Sequence, residues 1–330
     1  MKYLSVIIPT YNSERTIEHC LKAIRQSQYG DYELIVSDDA SEDATLRLAE
    51  RYADSIIPTR TKYGRNKTRQ MGWRKAEGEI IVNIDSDVLI EKETLGNIAH
   101  FFYNNRNAGA VTGILSKKHP NRDFFSRYKN IYMHYTFSGL PENVNFLYGS
   151  IYAVKKAFLE NYQSEREIGD DTELGIAISD AGAKIFLLKN LEAVHMKGYT
   201  FISLLANDFI VPFEWARIFM LHKGWRFLGK NNSGFMHASR RQIAGVLSAF
   251  FTAFLLLLSI LWPKCIIGGL LAFIAWLILN KNFFLYIFKE ESLLFAAISG
   301  PVTFASNIAM ACGIMCGFIR SIRHAKNEKK

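Results

Sequence analysis

Up to about Arg241 the chain alternates short apolar runs with polar, helix-periodic stretches; beyond it the apolar runs lengthen and charges become sparse. "YLSVIIP" (3–9), "YELIVSDD" (32–39), "DSIIPT" (54–59) and "EIIVNIDSD" (79–87) read as strands, bounded by prolines or acids. Between them, "SERTIEHCLKAIRQS" (13–27) places Ile17, Leu21 and Ile24 on one helical face. "ASEDATLRLAERYA" (40–53) reads as a helix start and helix, and "YGRNKTRQMGWRKAEG" (63–78) as a glycine-bounded loop and helix. Strand–helix alternation with continuously apolar strands predicts a parallel sheet covered on both faces. Ligands of such sheets bind at the carboxyl ends of the strands. Pro9-Thr10-Tyr11, Asp38-Asp39 and Asp85-Ser86-Asp87 stand at such ends and should converge on one crevice.

The second half of the pattern is different. "QIAGVLSAFFTAFLLLLSILW", "CIIGGLLAFIAWLIL" and "SLLFAAISGPVTFASNIAMACGIMCGFI" are long apolar runs with few charges between them. The first and third can cross roughly 30 Å of hydrocarbon, and the second can if extended through "NKNFFLYIF". The expected organisation is a catalytic domain over 1–200 and an amphipathic, interfacial connecting segment over 201–241. A transmembrane region over 242–320 follows, with two to three helices at about 243–262, 265–288 and 293–319, and a basic tail over 321–330.

Charge fixes an orientation. The net charge of +9 collects before the apolar region (Lys223, Arg226, Lys230, Arg240, Arg241) and after it (Arg320, Arg323, Lys326, Lys329, Lys330). This positive-inside pattern favours an anionic membrane over nucleic acid, for which base-stacking signatures are missing. Two basic ends on one face require an even number of crossings, which three full spans would break. "MKYLSVIIPTYN" lacks the long apolar run and small-residue cleavage site of a signal peptide, so the catalytic domain is expected on the cytosolic face of a multi-pass cell-membrane protein. Cys20 stands alone in the first part, and Cys265, Cys312 and Cys316 have the spacing of neither a disulfide framework nor a zinc site.

The aspartates carry the chemistry. Asp85 and Asp87 repel each other, and two readings stand: a solvated turn with helix-capping acids, or a divalent cation held by carboxylate oxygens, water and substrate phosphates. Asp38 and Asp39 likewise either cap the next helix or serve a ligand. Asp170 and Asp171 in "IGDDTELGIAISDAGAKI" can be acids favoured by a helix N-terminus or a positioned base.

"SVIIPTYN", "LIVSDDASEDAT", "AEGEIIVNIDSDV" and "GDDTELGIAISDAGAKI", in this order and spacing, resemble family 2 glycosyltransferases over roughly residues 3–197. The resemblance implies an α/β, Rossmann-like GT-A domain, an inverting mechanism and a nucleotide-sugar donor. It makes Pro9, Thr10 and Tyr11 part of the nucleotide pocket, with Tyr11 against the base. Asp39, supported by Asp38, would accept the imide N–H of a uracil. Asp85, with Ser86, would lie near the ribose and diphosphate, and Asp87 would hold Mg2+ or Mn2+, with Asp85 and His195 counted among the metal ligands. Arg65, Lys67 and Arg69 compete for the diphosphate, Arg65 and Arg69 being favoured.

Asp171 would be the general base, with Asp170 and Glu173 as alternatives. The Gln-x-x-Arg-Trp signature of processive synthases does not occur; "FEWAR" at 213–217 is only a faint likeness, so single-sugar transfer is expected. A base implies a hydroxyl acceptor on a lipid-linked sugar or glycolipid, in cell-envelope synthesis. A polyprenyl-phosphate acceptor, or an inactive membrane-bound homologue, is the alternative.

Overall fold

A computed structural model describes residues 3–164, 166, 168–227 and 238–327. Lys230, Lys329 and Lys330 of the basic clusters lie outside the described residues. The chain forms two compact units, 1–121 with 140–197 and 122–139 with 198–330.

The first unit opens with the expected alternation. β1 (Leu4–Thr10), α1 (Ile17–Arg25), β2 (Tyr32–Asp38), α2 (Thr45–Ala49), β3 (Ser55–Pro58), α3 (Arg65–Lys75) and β4 (Ile80–Ile84) follow one another, and β3-β2-β1-β4 are parallel neighbours. Side chains of β1 alternate between faces. Val6 and Ile8 join Ile17, Leu21 and Ile24 of α1 in one core, whereas Ile7 joins Ile35, Ile81 and Trp73 of α3 in the other. Both faces of the sheet are therefore covered. Gly72 lets α3 lie against the strands: a Cβ there would stand 2.4 Å from Ile7 Cγ2 and 2.7 Å from Ser37 Oγ.

Beyond β4 the sheet is mixed rather than parallel. The stretch read as one strand to Asp87 ends at Ile84. Asp85, Ser86 and Asp87 form a turn closed by the Val88 N–H donating to the Asp85 carbonyl at 3.1 Å, and a short β5 (Val88–Ile90) follows. α4 (Thr94–Asn104) and β6 (Ala108–Leu115) come next. α5 (Phe124–Ser138) belongs to the second unit, after which β7 (Asn143–Val144), β8 (Ile151–Lys155), α6 (Asp170–Asp180) and β9 (Lys184–His195) complete the first. β8 inserts antiparallel between β4 and β6, β9 lies parallel to β6, and β5 pairs antiparallel with β9, Val88 opposite His195.

The second unit contains α5, α7 (Phe201–Leu221), α8 (Arg240–Leu258), α9 (Cys265–Glu290) and α10 (Leu293–Asn327). α5 falls inside the stretch expected to be catalytic, yet Tyr128 and Ile131 pack with Tyr199, Leu204, Phe283, Ile287, Phe295 and Val302. That shared apolar core assigns it to the C-terminal unit. α7 starts at a capping box of Thr200 and Ser203, and α8 at one of Ser239 and Gln242. Three helices, Arg240–Leu258, Cys265–Glu290 and Leu293–Arg323, are long and apolar enough to cross a membrane.

Candidate active site

The carboxyl ends of β1, β2 and β4 gather the sequence-selected residues of the first unit, as the strand register requires. β1 ends at Pro9 and Thr10. Tyr11 beyond it is 40% exposed, and Lys62 Nζ lies 3.7 Å above its ring. Lys62 thus holds the ring face expected to meet a base, a contact no sequence signal announced. Ser86 Oγ is 2.9 Å from Ser13 Oγ, joining the β4–β5 turn to the chain after β1.

Asp38 and Asp39 are both buried. Asp38 accepts the Ser41 N–H at 2.9 Å and its hydroxyl, which organises the turn into the next helix. Asp39 accepts the N–H groups of Tyr63 at 2.6 Å and Gly64 at 2.9 Å, one on each carboxylate oxygen. It therefore anchors the loop from which α3 and both candidate arginines start.

Those arginines differ. Arg69 is fully buried, donating to Asp170 and, at 3.1 Å, to Asp85 Oδ1, with its guanidinium 5.8 Å from the Tyr152 ring centre. Arg65, its side chain 45% exposed, stands 3.9 Å from Asp85 and 3.8 Å from Asp170. Lys67 points to solvent. Arg65 is the cation a ligand can meet. Arg69 binds the end of β4 to the start of α6.

At the start of α6 the three candidate acids separate by partner. Asp170 belongs to Arg69. Glu173 accepts from Ser164 Oγ at 2.8 Å and Arg166 Nε at 2.5 Å. Asp171 takes the adjacent Thr172 N–H at 2.7 Å, and a Cβ on Gly149 would come within 2.9 Å of its Oδ2. Burial, followed by the charge of Asp170, pushes the Asp171 carboxyl up to about 6, against the pull of Arg65 and Arg69. A carboxylate with that pKa is poised to exchange a proton near neutral pH.

Asp87 and His195 form a second focus. The β5–β9 register brings His195 Nε2 to 3.3 Å from Asp87 Oδ2, and Met196 N–H donates to the Asp87 carbonyl at 2.8 Å. Burial raises the Asp87 carboxyl, but His195 outweighs it and leaves it below the usual carboxylate range. The three residues counted as metal ligands are thus divided: Asp87 meets His195, while Asp85 is turned toward the arginines. No group of three or more His, Cys, Asp or Glu able to hold a metal occurs among the described residues. One carboxylate and one imidazole are nonetheless donors of the kind a divalent ion accepts, and they would form part of its ligand set.

Sequence reading missed Lys62, Tyr152 and Gly149. Tyr152 is placed by pairing opposite Asn83 on β4, and Gly149 by the loop before β8; neither has a local motif.

The fold is that of a GT-A glycosyltransferase domain. Residues 5–163 match the model of Glycosyl transferase family 2. Poly(ribitol-phosphate) beta-N-acetylglucosaminyltransferase TarS of Staphylococcus aureus is 37% identical over 109 residues, 31% of this chain and 19% of that protein. GalNAc(5)-diNAcBac-PP-undecaprenol beta-1,3-glucosyltransferase of Campylobacter jejuni is 32% identical over 93 residues, 26% of this chain and 30% of the relative. The chain thus covers less than a third of the length of either relative. A mannosyltransferase of Pyrobaculum calidifontis, solved with GDP-Man and Mn2+, superposes over 97% of this chain and 86% of its own with a TM-score of 0.57 at 19% identity. That likeness is one of fold.

Proposed function

We propose that this protein is a membrane-embedded inverting glycosyltransferase. It moves one sugar from a UDP-sugar to a hydroxyl of a lipid-linked or glycolipid acceptor in cell-envelope synthesis. The observation that carries this reading is Asp171, whose carboxyl is pushed up to about 6 while Asp170 and Glu173 are committed to arginines.

Inversion requires a single in-line displacement. The acceptor hydroxyl, with a pKa far above 7, loses its proton as its oxygen attacks the anomeric carbon, and Asp171 takes that proton. Gly149 keeps the space beside Asp171 open for the acceptor. The glycosidic bond breaks with its electron pair passing to the diphosphate, whose charge Arg65 meets. Asp87 and His195 would hold Mg2+ or Mn2+, which supplies positive charge to the leaving diphosphate. The base sits by Pro9, Thr10 and Tyr11. Asp39 accepts the uracil imide N–H on lone pairs left beside its two backbone bonds.

The names of two relatives specify transfer to poly(ribitol-phosphate) and to an undecaprenol-linked glycan, in keeping with a hydroxyl acceptor, while a third, 31% identical, names undecaprenyl-phosphate, the alternative acceptor. The three apolar helices support residence in the membrane, with the catalytic unit on the cytosolic face by the positive-inside pattern. The test is transfer from radiolabelled UDP- and GDP-sugars to total membrane lipid extract with Mn2+ or Mg2+. A product that releases its labelled sugar as free monosaccharide in mild acid, as a glycosyl polyprenyl phosphate does, formed equally well by Asp171→Asn, would overturn the hydroxyl reading.

A further inference from the structure

Three apolar helices and two basic ends conflict if every helix crosses the bilayer. We propose that only α8 and α9 cross, as a hairpin, while α7 and the C-terminal half of α10 lie along the membrane surface on the face where α8 begins. This rests on the membrane reading above.

The first observation is where α7 and α8 begin. Phe201 packs on Phe125 at 5.6 Å, and Lys129 Nζ reaches Asp208 at 2.5 Å, so the start of α7 sits on α5. The start of α8 sits on α5 as well, through Gln242 Nε2 donating to Thr136 Oγ1 at 2.7 Å. α5 has 15 residues, about 22 Å of helix, short of a hydrocarbon core of roughly 30 Å, so both its ends are on one face. α7 and α8 therefore start on one face.

The second observation is where α7 ends. The stretch from α7 to α8, "HKGWRFLGKNNSGFMHAS" (222–239), is too polar to pass through hydrocarbon. The end of α7 is then on the face where α8 starts, which is also the face where α7 itself starts. α7 does not cross.

The third observation ties α10 to α7. A Cβ on Gly313 would stand 2.2 Å from the Phe209 carbonyl oxygen, and one on Gly317 2.4 Å from that of Phe213 and 2.8 Å from Ala216 Cβ. Such backbone contact is what small residues four apart permit. Numbers rise together along the two helices, so they run parallel. The α10 segment beside α7 shares its orientation and stays on its face. Its 35 residues measure about 50 Å, well beyond a core of roughly 30 Å. Exposed Ile202, Ile210 and Leu221 on α7, with Met315, Ile319 and Ile322 on α10, give the pair apolar surface for the interface.

The hairpin is different. Arg241 donates to the carbonyls of Leu279 at 2.6 Å and Ile278 at 3.0 Å, while Gly269 faces Leu256, so α8 and α9 are antiparallel and their tip is at 259–264. Apolar residues from Leu247 to Ile278 are exposed along both. Two crossings return the chain to its starting face, and Arg240, Arg241, Arg320 and Arg323 then share it.

The test uses the full chain with Cys265, Cys312 and Cys316 replaced by serine. Cys20 stays, since it is buried and burial pushes its thiol pKa up. Single cysteines Asn107→Cys, Lys264→Cys and Lys326→Cys are labelled with a membrane-impermeant maleimide in sealed right-side-out and inverted vesicles. Asn107→Cys and Lys326→Cys should react only in inverted vesicles, and Lys264→Cys only in right-side-out ones. Lys326→Cys reacting with Lys264→Cys would make α10 a third span and overturn the proposal. So would a Lys264→Cys that reacts with Asn107→Cys or from neither side. Release of the protein by alkaline carbonate would instead remove the membrane reading itself.

Discussion

Arg69 and Asp170 form an ion pair in which both side chains are almost wholly removed from solvent, and the same guanidinium holds Asp85. It links α3 and the end of β4 to the start of α6, 101 residues further along the chain. Removing one partner of such a pair leaves uncompensated buried charge. Arg69→Met should therefore lower stability by about 3–5 kcal/mol. Urea unfolding of the detergent-solubilised protein measures it, and a loss below about 1 kcal/mol would reduce the link to a surface-like pair.

Asp171→Asn should lower kcat at least about a hundredfold with little change in donor KM. The pH dependence follows from the raised carboxyl. Below about 6 Asp171 is protonated and cannot accept a proton, so wild-type kcat should rise with pH through that value and level off above it. The residual activity of Asp171→Asn should lack this limb. An unchanged limb in the variant would assign it to another group.

Mn2+-dependent binding of UDP should weaken at least about tenfold in Asp87→Asn and in His195→Ala, the scale seen when a metal's surroundings are disturbed. Calorimetry with and without Mn2+ reads this independently of turnover. Equal Mn2+ enhancement in wild type and both variants would take the metal away from the Asp87–His195 pair.

UDP should bind more tightly than CDP by about 1.5–3 kcal/mol, the worth of a hydrogen bond to a charged group. Asp39→Ala should lose that preference and also free the Tyr63–Gly64 loop that it anchors. Equal binding of CDP and UDP by wild type would leave Asp39 with the loop alone.

The alternating apolar blocks determined by themselves the first four strands, the helices between them, and the acids at their ends. Period-two and period-3.6 patterns are local, and a strand end is visible where an apolar run stops near Pro9 or Asp38, whereas the end of β4 before Asp85 was set by the turn that follows it. The lengths of the C-terminal apolar runs likewise marked the membrane-length helices. What sequence could not decide was partnership. "IGDD" offers Asp170, Asp171 and Glu173 on equal terms. Only the approach of Arg69 from α3, 101 residues from Asp170, and of Arg166 from the loop seven residues before Glu173 singles out Asp171 as the proposed base. The same holds for Asp85 and Asp87. Two residues apart, they looked like one metal site, but the turn between β4 and β5 sends one toward Arg69 and the other toward His195 across the β5–β9 pairing. Hydrophobic periodicity fixes which face a residue occupies, whereas the ion pairs depend on which elements the sheet order brings side by side.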